Sequence, residues 1–311
     1  MGEQLAIGVD VGGTKMAAGV VDERGVILNR LRVATPASDA AAIEAEIIRM
    51  VCELSDEKLP VGVAAPGFVN AEQSEIYFTP NIPWRNTPLR EHFEAALGRT
   101  VVVDNDANAA GWAEFRFGAG RGMSHVTMLT IGTGVGGAII ANGQLLRGGF
   151  GAAAELGHLR LIPDGLLCGC GQRGCLEKYG SGTAFMRLLN EVADNEPGGE
   201  LAQLRKRERE LNASNVEPLI FAEELGTGHA LEQLGRAIGQ GCASLSAVLD
   251  PQRFIIGGGV SIAGESLLRW IRAGFEEYVP ARGYHPEPSF AIAEMGNDAG
   301  IIGAADLART A

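Results

Sequence analysis

Four soft ligands fall between positions 158 and 175, in the stretch GHLRLIPDGLLCGCGQRGCLEKYG: His158, Cys168, Cys170 and Cys175. Three thiolates and an imidazole make a tetrahedral zinc set, although the paired Cys-x-x-Cys knuckles of many zinc domains are absent. A disulfide is disfavoured, because cysteines separated by one residue rarely meet the required geometry and five cysteines in 311 residues do not make a secreted disulfide scaffold. Redox catalysis is weaker still without a Cys-x-x-Cys pair. Four protein ligands leave no open position for water, so the expected metal is structural. Glu155 and Glu177 flank the ligands, either as solvated charges or as carboxylates turned toward a substrate beside the loop.

Two further carboxylates close apolar, strand-like runs. Asp10 ends LAIGVD just before Gly12, and Asp106 stands in VVVDNDANAAG. A carboxylate at a strand end can orient a magnesium-bound phosphate, and a second can take a proton from an alcohol aimed at that phosphate. Taken singly, each reads as a cap or turn residue. Asn105 and Asn108 fit turn or cap positions, and Asn105 could also hydrogen-bond a polyol. Three glycine loops, Gly12-Gly13-Thr14, Gly132-Thr133-Gly134-Val135-Gly136 and Gly257-Gly258-Gly259, each follow an apolar run. One such loop is an ordinary turn; three at strand ends point to nucleotide phosphates held by N–H groups and threonine hydroxyls. No Walker A loop is present, and no Gly-x-Gly-x-x-Gly joins the first strand to a helix, which excludes the P-loop and Rossmann mechanisms.

These residues need elements to hold them. LAIGVDVGGTKMAAGVV and VILNRLRV, separated by DERG, read as strand, glycine turn, strand, turn, strand. Residues 39–54 carry helical apolar spacing, and LPVGVAAPG reads as a short strand entering a loop. A helix near 88–97, the strand TVVVD and a loop or helix start at NDANAAGWAEF follow. From 125 the pattern begins again, with HVTMLTIGTGVGGAII as strand, glycine turn, strand and Asn142-Gly143 as a hairpin signal. That echo, together with the chain length, favours two similarly built lobes. Residues 181–228 contain helix and a charged run, RKRERE at 205–210, expected on a solvated helix face. A long amphipathic helix over 229–249, a strand and glycine loop in DPQRFIIGGGVS, and a final helix in GNDAGIIGAADLA complete the chain, the last returning to the first lobe.

Composition narrows the function classes. A hydrophobic fraction of 46% argues against disorder, and 44 glycines without a collagen period must serve local turns. With 38 acidic against 26 basic residues, a net charge of -12 disfavours a nucleic-acid partner. No apolar run reaches the roughly 18 residues of a membrane span and no leader pattern opens the chain, so a soluble, cytoplasmic protein with no membrane partner is expected.

The combination of VDVGGTK, PGFVN, DNDANAAGWAE, TIGTGVGGAIIANGQLLRGGFGAAAELGH, CGCGQRGCLE and IIGGGV resembles the ROK family over nearly the whole chain, in particular its bacterial, actinobacterial-type glucokinases. The resemblance implies an α/β fold, two-lobed and actin-like (ribonuclease H-like), with an interlobe active-site cleft. A small lobe over 1–118 would be joined by a C-terminal helix over 298–311, and a large lobe over 119–297 would carry the zinc loop and a dimerisation surface. The implied reaction moves the γ-phosphoryl group of ATP to the 6-hydroxyl of glucose, with magnesium on the ATP and a structural zinc. By the family's motifs Asp106 is the catalytic base, and Asn105, Glu155, His158, Glu177 and Asn81 join it around the sugar, His158 binding zinc through its other ring nitrogen. Asp10, Gly12, Gly13, Thr14, Lys15, Gly132, Thr133 and Gly134 match the phosphate and magnesium region, and Gly257, Gly258 and Gly259 a nucleotide-proximal loop. A homodimer or tetramer is implied. Kinases of mannose, N-acetylglucosamine or N-acetylmannosamine share this chemistry, as does polyphosphate as donor. The family's sugar-responsive regulators carry an N-terminal helix-turn-helix, for which a first strand at Leu5 is expected to leave no room.

Overall fold

The computed structural model describes residues 4–36 and 39–311. In chain order the elements are β1 (Ala6–Val11), β2 (Lys15–Val21), β3 (Ile27–Ala34), α1 (Ala40–Leu54), β4 (Val61–Ala65), β5 (Phe68–Val69), β6 (Ile76–Phe78), β7 (Arg85–Thr87), α2 (Leu89–Leu97), β8 (Val101–Asn105) and α3 (Asp106–Phe117). They continue as β9 (Val126–Ile131), β10 (Val135–Ala141), β11 (Gln144–Leu145), α4 (Glu177–Gly180), α5 (Gly182–Asn195), α6 (Glu200–Glu208), α7 (Ala213–Phe221), α8 (Leu225–Leu249), β12 (Arg253–Gly257), α9 (Gly264–Tyr278), β13 (Ser289–Ile292) and α10 (Ala299–Arg309). One compact unit comprises Met1–Ser124, Ala138–Ala154 and Glu294–Ala311, of which residues 1–3 and 37–38 lie outside the described residues. The other comprises His125–Gly137 and Glu155–Ala293, so β10 carries the chain from the second unit back into the first.

In the first unit a five-stranded sheet runs β3-β2-β1-β4-β8, antiparallel across β3, β2 and β1 and parallel across β1, β4 and β8. Side chains alternate between its faces. Ile7, Val9, Val11, Val61, Val63, Val101 and Val103 form one core with Ile43, Ile47, Met50 and Phe93 of α1 and α2. The opposite parity sends Ala6, Gly8 and Asp10 toward α10. Glycine weakens a strand on its own account, but here helix backbone lies directly on it. A Cβ at Gly8 would sit 1.9 Å from the Ile301 carbonyl oxygen, and one at Gly62 would sit 1.8 Å from that of Ala304. The helix so enclosed is buried from Ala299 to Ala308, as an element apolar on every side must be. Its Asp306 is buried and accepts from Trp112 Nε1 (2.9 Å), Arg116 Nε (2.9 Å) and Arg309 Nη1 (2.5 Å), which fastens α10 to α3. Strands β5, β6 and β7 form a small separate sheet.

The second sheet runs β11-β10-β9-β12-β13, with β9, β12 and β13 parallel. Phe254, Phe275 and Phe290 pack their rings together where α9 covers β12 and β13.

Several boundaries differ from the expectations for local reasons. The helix over 39–54 starts at Ala40, because the Asp39 carboxylate caps it by accepting from Ala41 N (3.0 Å) and Ala42 N (3.3 Å). The helix expected from 229 starts at Leu225, where Glu224 accepts from Thr227 N at 2.7 Å. The charged run at 205–210 is exposed over most of its length, but only its first four residues are helical: Arg209 turns to φ 70° and ends α6. Among the described residues no helix is long and apolar enough to cross a membrane.

Candidate active site

In the first unit, β1 and β2 pair through Val11 and Met16, which makes the first glycine loop a hairpin turn. Gly12 N donates to the Lys15 carbonyl at 3.0 Å and Thr35 Oγ1 to the Gly12 carbonyl at 2.6 Å. Gly13, Thr14 and Lys15 are left exposed. Asn81 stands beside this loop: a Cβ on Gly13 would lie 3.7 Å from its own. Strand parity places Asp10 against the start of α10, where a Cβ on Gly300 would meet its carboxyl carbon at 2.7 Å. Burial, and then the negative charge of Asp106, push the Asp10 carboxyl from its ordinary value near 3.8 to about 6, with Lys15 opposing them.

The stretch read as a loop or helix start is a helix, α3, and Asn105 is its cap. Asn105 Oδ1 accepts from Ala107 N (2.9 Å) and Asn108 N (3.1 Å), while its Nδ2 donates to the Gly67 carbonyl at 3.0 Å. Asp106 follows in the first turn. Desolvation raises its pKa even though its carboxylate accepts from Ala107 N at 2.9 Å. A carboxylate raised in this way is a stronger base than one in water, which suits it to take a proton.

In the second unit two glycine loops meet. A Cβ on Gly258, which has φ 84°, would fall 2.5 Å from the Ile131 carbonyl oxygen, so only glycine brings Gly257–Gly259 against the end of β9. The loop at Gly132–Gly134 follows Ile131 directly. The start of α5 completes the group: Gly182 N donates to the Gly132 carbonyl and Thr183 Oγ1 to that of Thr133, both at 2.7 Å. Thr183 was not among the expected site residues. The signal for it was the Ser-Gly-Thr start of a helix, since Ser181 Oγ caps α5 at Ala184 N (3.1 Å).

Glu177 is not a solvated charge. Its Oε2 accepts from Val135 N at 3.1 Å in the second glycine loop, and its Oε1 lies 3.7 Å from Cys168 Sγ. Glu155 is exposed and precedes the short turn Leu156–His158, with Ala154 before it at φ 66°.

His158, Cys168, Cys170 and Cys175 gather with all their ligand atoms within 4.8 Å of one another. Cys170 Sγ and Cys175 Sγ are 3.6 Å apart, and Cys168 Sγ and His158 Nδ1 are 3.8 Å apart. Tetrahedral zinc with bonds of about 2.0–2.3 Å separates its ligand atoms by about 3.5–3.8 Å, so the four atoms fit a metal site. The thiols are free. Burial pushes Cys168 up and Cys175 up to about 12, whereas the backbone N–H of Gln172 holds Cys170 down. His158 turns Nδ1 into this group, which leaves Nε2 for another partner.

The ROK family profile matches residues 6–311. A glucokinase of Streptomyces coelicolor is 43% identical over 309 residues, covering 98% of each chain. An N-acetylmannosamine kinase of Yersinia pseudotuberculosis is 32% identical over 311 residues, covering 100% of this chain and 99% of its own. The crystal structure of a ROK family glucokinase from Streptomyces griseus, in complex with glucose and AMPPNP, superposes with a TM-score of 0.87 at 42% identity and covers 99% of this chain and 100% of that one. With a profile match from the first strand to the last residue and relatives above 30% identity along the full length, the chain belongs to the ROK family and has its α/β, actin-like ATPase fold.

Proposed function

We propose that this protein is a glucokinase, transferring the γ-phosphoryl group of ATP to the 6-hydroxyl of glucose to give glucose 6-phosphate and ADP. The observation that carries the reading is Asp106: a desolvated carboxyl with raised pKa, beside Asn105 and in the same unit as Asp10 and the first glycine loop. Full-length similarity to glucokinases supports the choice of sugar.

In this mechanism Asp106 accepts the proton of the 6-hydroxyl as its oxygen bonds to the γ-phosphorus. The bond from that phosphorus to the β,γ-bridging oxygen breaks, and ADP leaves. Asn105, Glu155, His158 and Glu177 are assigned to the sugar hydroxyls, His158 through Nε2. Asn81, next to Gly13, is assigned to the end of the sugar nearest the phosphates. Gly12, Gly13, Thr14, Lys15, Gly132, Thr133, Gly134 and Gly257–Gly259 offer N–H, hydroxyl and ammonium donors to the nucleotide. Asp10 fits a magnesium site, because its buried carboxyl has Asp106 as an unfavourable neighbour; magnesium carried by ATP would offset phosphate charge there. His158, Cys168, Cys170 and Cys175 would hold a structural zinc, whose contribution is to fix the loop that carries Glu155 and Glu177. Family resemblance alone supports two further proposals, a homodimer or tetramer and a cytoplasmic setting.

A donor-by-sugar activity matrix tests the reading, with ATP and polyphosphate against glucose, mannose, N-acetylglucosamine and N-acetylmannosamine. The highest kcat/KM is expected for ATP with glucose. Preference for N-acetylmannosamine, or for polyphosphate, would overturn the corresponding half.

A further inference from the structure

Asp104 lies two residues before Asp106, on the face of β8 turned away from the α1 core. It is only 3% exposed, and its carboxylate accepts five hydrogen bonds. Oδ1 accepts from Asn105 N (2.8 Å) and Asn108 Nδ2 (3.0 Å); Oδ2 accepts from Gln73 Nε2 (2.9 Å), Arg147 Nε (2.9 Å) and Arg147 Nη2 (2.6 Å). Two of those donors, Asn105 N and Asn108 Nδ2, belong to the junction at which the chain leaves β8 and enters α3. Arg147 brings the opposing charge from a segment 43 residues further along.

That segment is itself fastened. After the Asn142-Gly143 turn, Leu146 N donates to the Ile139 carbonyl (2.8 Å) and Ala153 N to that of Arg147 (3.0 Å). Gly151 packs so closely that a Cβ there would lie 2.1 Å from the Val69 carbonyl oxygen. Arg147 is therefore held from behind, and the ion pair transmits that restraint to the start of α3.

We propose that Arg147, acting through Asp104, is a positioning residue for the base Asp106, an inference that rests on the proposed role of Asp106. A buried carboxylate tolerates its charge only when paired and hydrogen-bonded. Without the guanidinium, Asp104 would turn toward water and release Asn105 N and Asn108 Nδ2, and the first turn of α3 would shift with them. Proton abstraction depends on placement: a displacement of about 1 Å can cost on the order of 100-fold in rate. The far end of α3 has its own anchors. Arg116 pairs with Asp306 at 2.9 Å, and the Glu114 carboxylate accepts from Ala119 N (2.9 Å) and Met295 N (2.7 Å). The contribution of Arg147 is thus local to the end of the helix that carries Asp106.

The test is steady-state kinetics with glucose and ATP on Arg147→Ala, Arg147→Lys, Arg116→Ala and Asp106→Asn, alongside thermal unfolding. In Arg147→Ala, kcat should fall about 10- to 100-fold while the glucose KM moves less than about threefold. Arg147→Lys should recover part of that loss, since an ammonium restores the charge but not the two-point fork, and methylguanidine added to Arg147→Ala should raise its kcat. Arg116→Ala should lower the unfolding midpoint without a comparable loss of kcat. The inference is overturned if Arg147→Ala keeps kcat within about twofold of wild type, or if Arg116→Ala loses as much kcat at the same loss of midpoint. Should Arg147→Ala not fold, Arg147→Lys decides: several-fold lower kcat at unchanged KM upholds the role, and wild-type kcat removes it. Near-wild-type turnover in Asp106→Asn overturns the base and the inference together, whereas an inactive Asp106→Asn with an unimpaired Arg147→Ala overturns the inference alone.

Discussion

Asp106 and Asp10 share one unit and one electrostatic problem, since each is desolvated and Asp106 raises the pKa of Asp10. Their proposed roles separate in two variants. Asp106→Asn keeps the size of the side chain but cannot accept the proton, so turnover should fall about 10²- to 10⁴-fold while calorimetric affinities for glucose and ATP stay close to wild type. Near-normal turnover would sink the assignment. For Asp10 the consequence appears in stability. Its carboxyl is held near 6 in the folded protein against 3.8 ordinarily, so between those values the native state keeps a proton that the unfolded state has released. Stability from this group is therefore present at low pH and is lost as pH rises toward and through 6. Metal-free Asp10→Asn should be more stable to urea than wild type at pH 7, with the gap closing toward pH 4. A difference that does not change with pH would contradict the raised pKa.

At the scale of elements, the metal loop between Leu156 and Glu177 has little regular structure to hold it. Besides the turn at Leu156–His158 it has two short bridges, Arg160 with Cys175 and Leu167 with Arg173, and scattered hydrogen bonds such as Cys168 N to the Gln172 carbonyl and Leu176 N to that of Leu159, both at 2.8 Å. A structural zinc would join the four ligand side chains and add its own restraint to these bonds. About one zinc per chain is expected by elemental analysis, and Cys170→Ser should lower that content, weaken glucose binding and speed amide exchange across the loop. Folded protein purified without chelators and lacking stoichiometric zinc would reject the site. Because Glu177 also accepts from Val135 N, faster exchange should extend to the second glycine loop. How far these elements were legible follows from distance along the chain. The four residues of the candidate metal cluster lie in one short segment, so their types and spacing were enough to group them. The tie from Glu177 to Val135 spans 42 residues, and nothing local in either stretch names the other as its partner.

For the whole molecule, the last helix belongs to the first unit and completes it. Ala299, Ile301, Ile302 and Ala305 of α10 enter one core cluster, and Ala304 and Leu307 another. Burying each large aliphatic side chain is worth about 1.5–3 kcal/mol, so Ile301, Ile302 and Leu307 together supply roughly 5–9 kcal/mol. That approaches the whole stability of a typical domain, about 5–15 kcal/mol. Truncation before Ala299 should therefore leave the first unit unfolded, as read by loss of its amide-exchange protection. A truncated chain with a native pattern of exchange would show that α10 is dispensable.

Sequence by itself determined the parts whose physics is local. Short apolar runs marked β1, β2, β4 and β8, helical spacing marked α1, and the spacing of three cysteines and a histidine marked the candidate metal set, because each depends on neighbours within a few turns or strand residues. The linked motifs also placed the chain in its family. Tertiary structure alone decided the environments of the carboxylates proposed to act. Asp10 was readable as a strand-end carboxylate, but its raised pKa comes from burial against α10 and from the charge of Asp106. Asp104 reads as an ordinary acidic residue beside Asn105, yet Gln73 and Arg147 reach its carboxylate across 31 and 43 residues. Residue type states what a side chain can donate or accept; which distant partner it meets is set by how the strands, turns and helices stack.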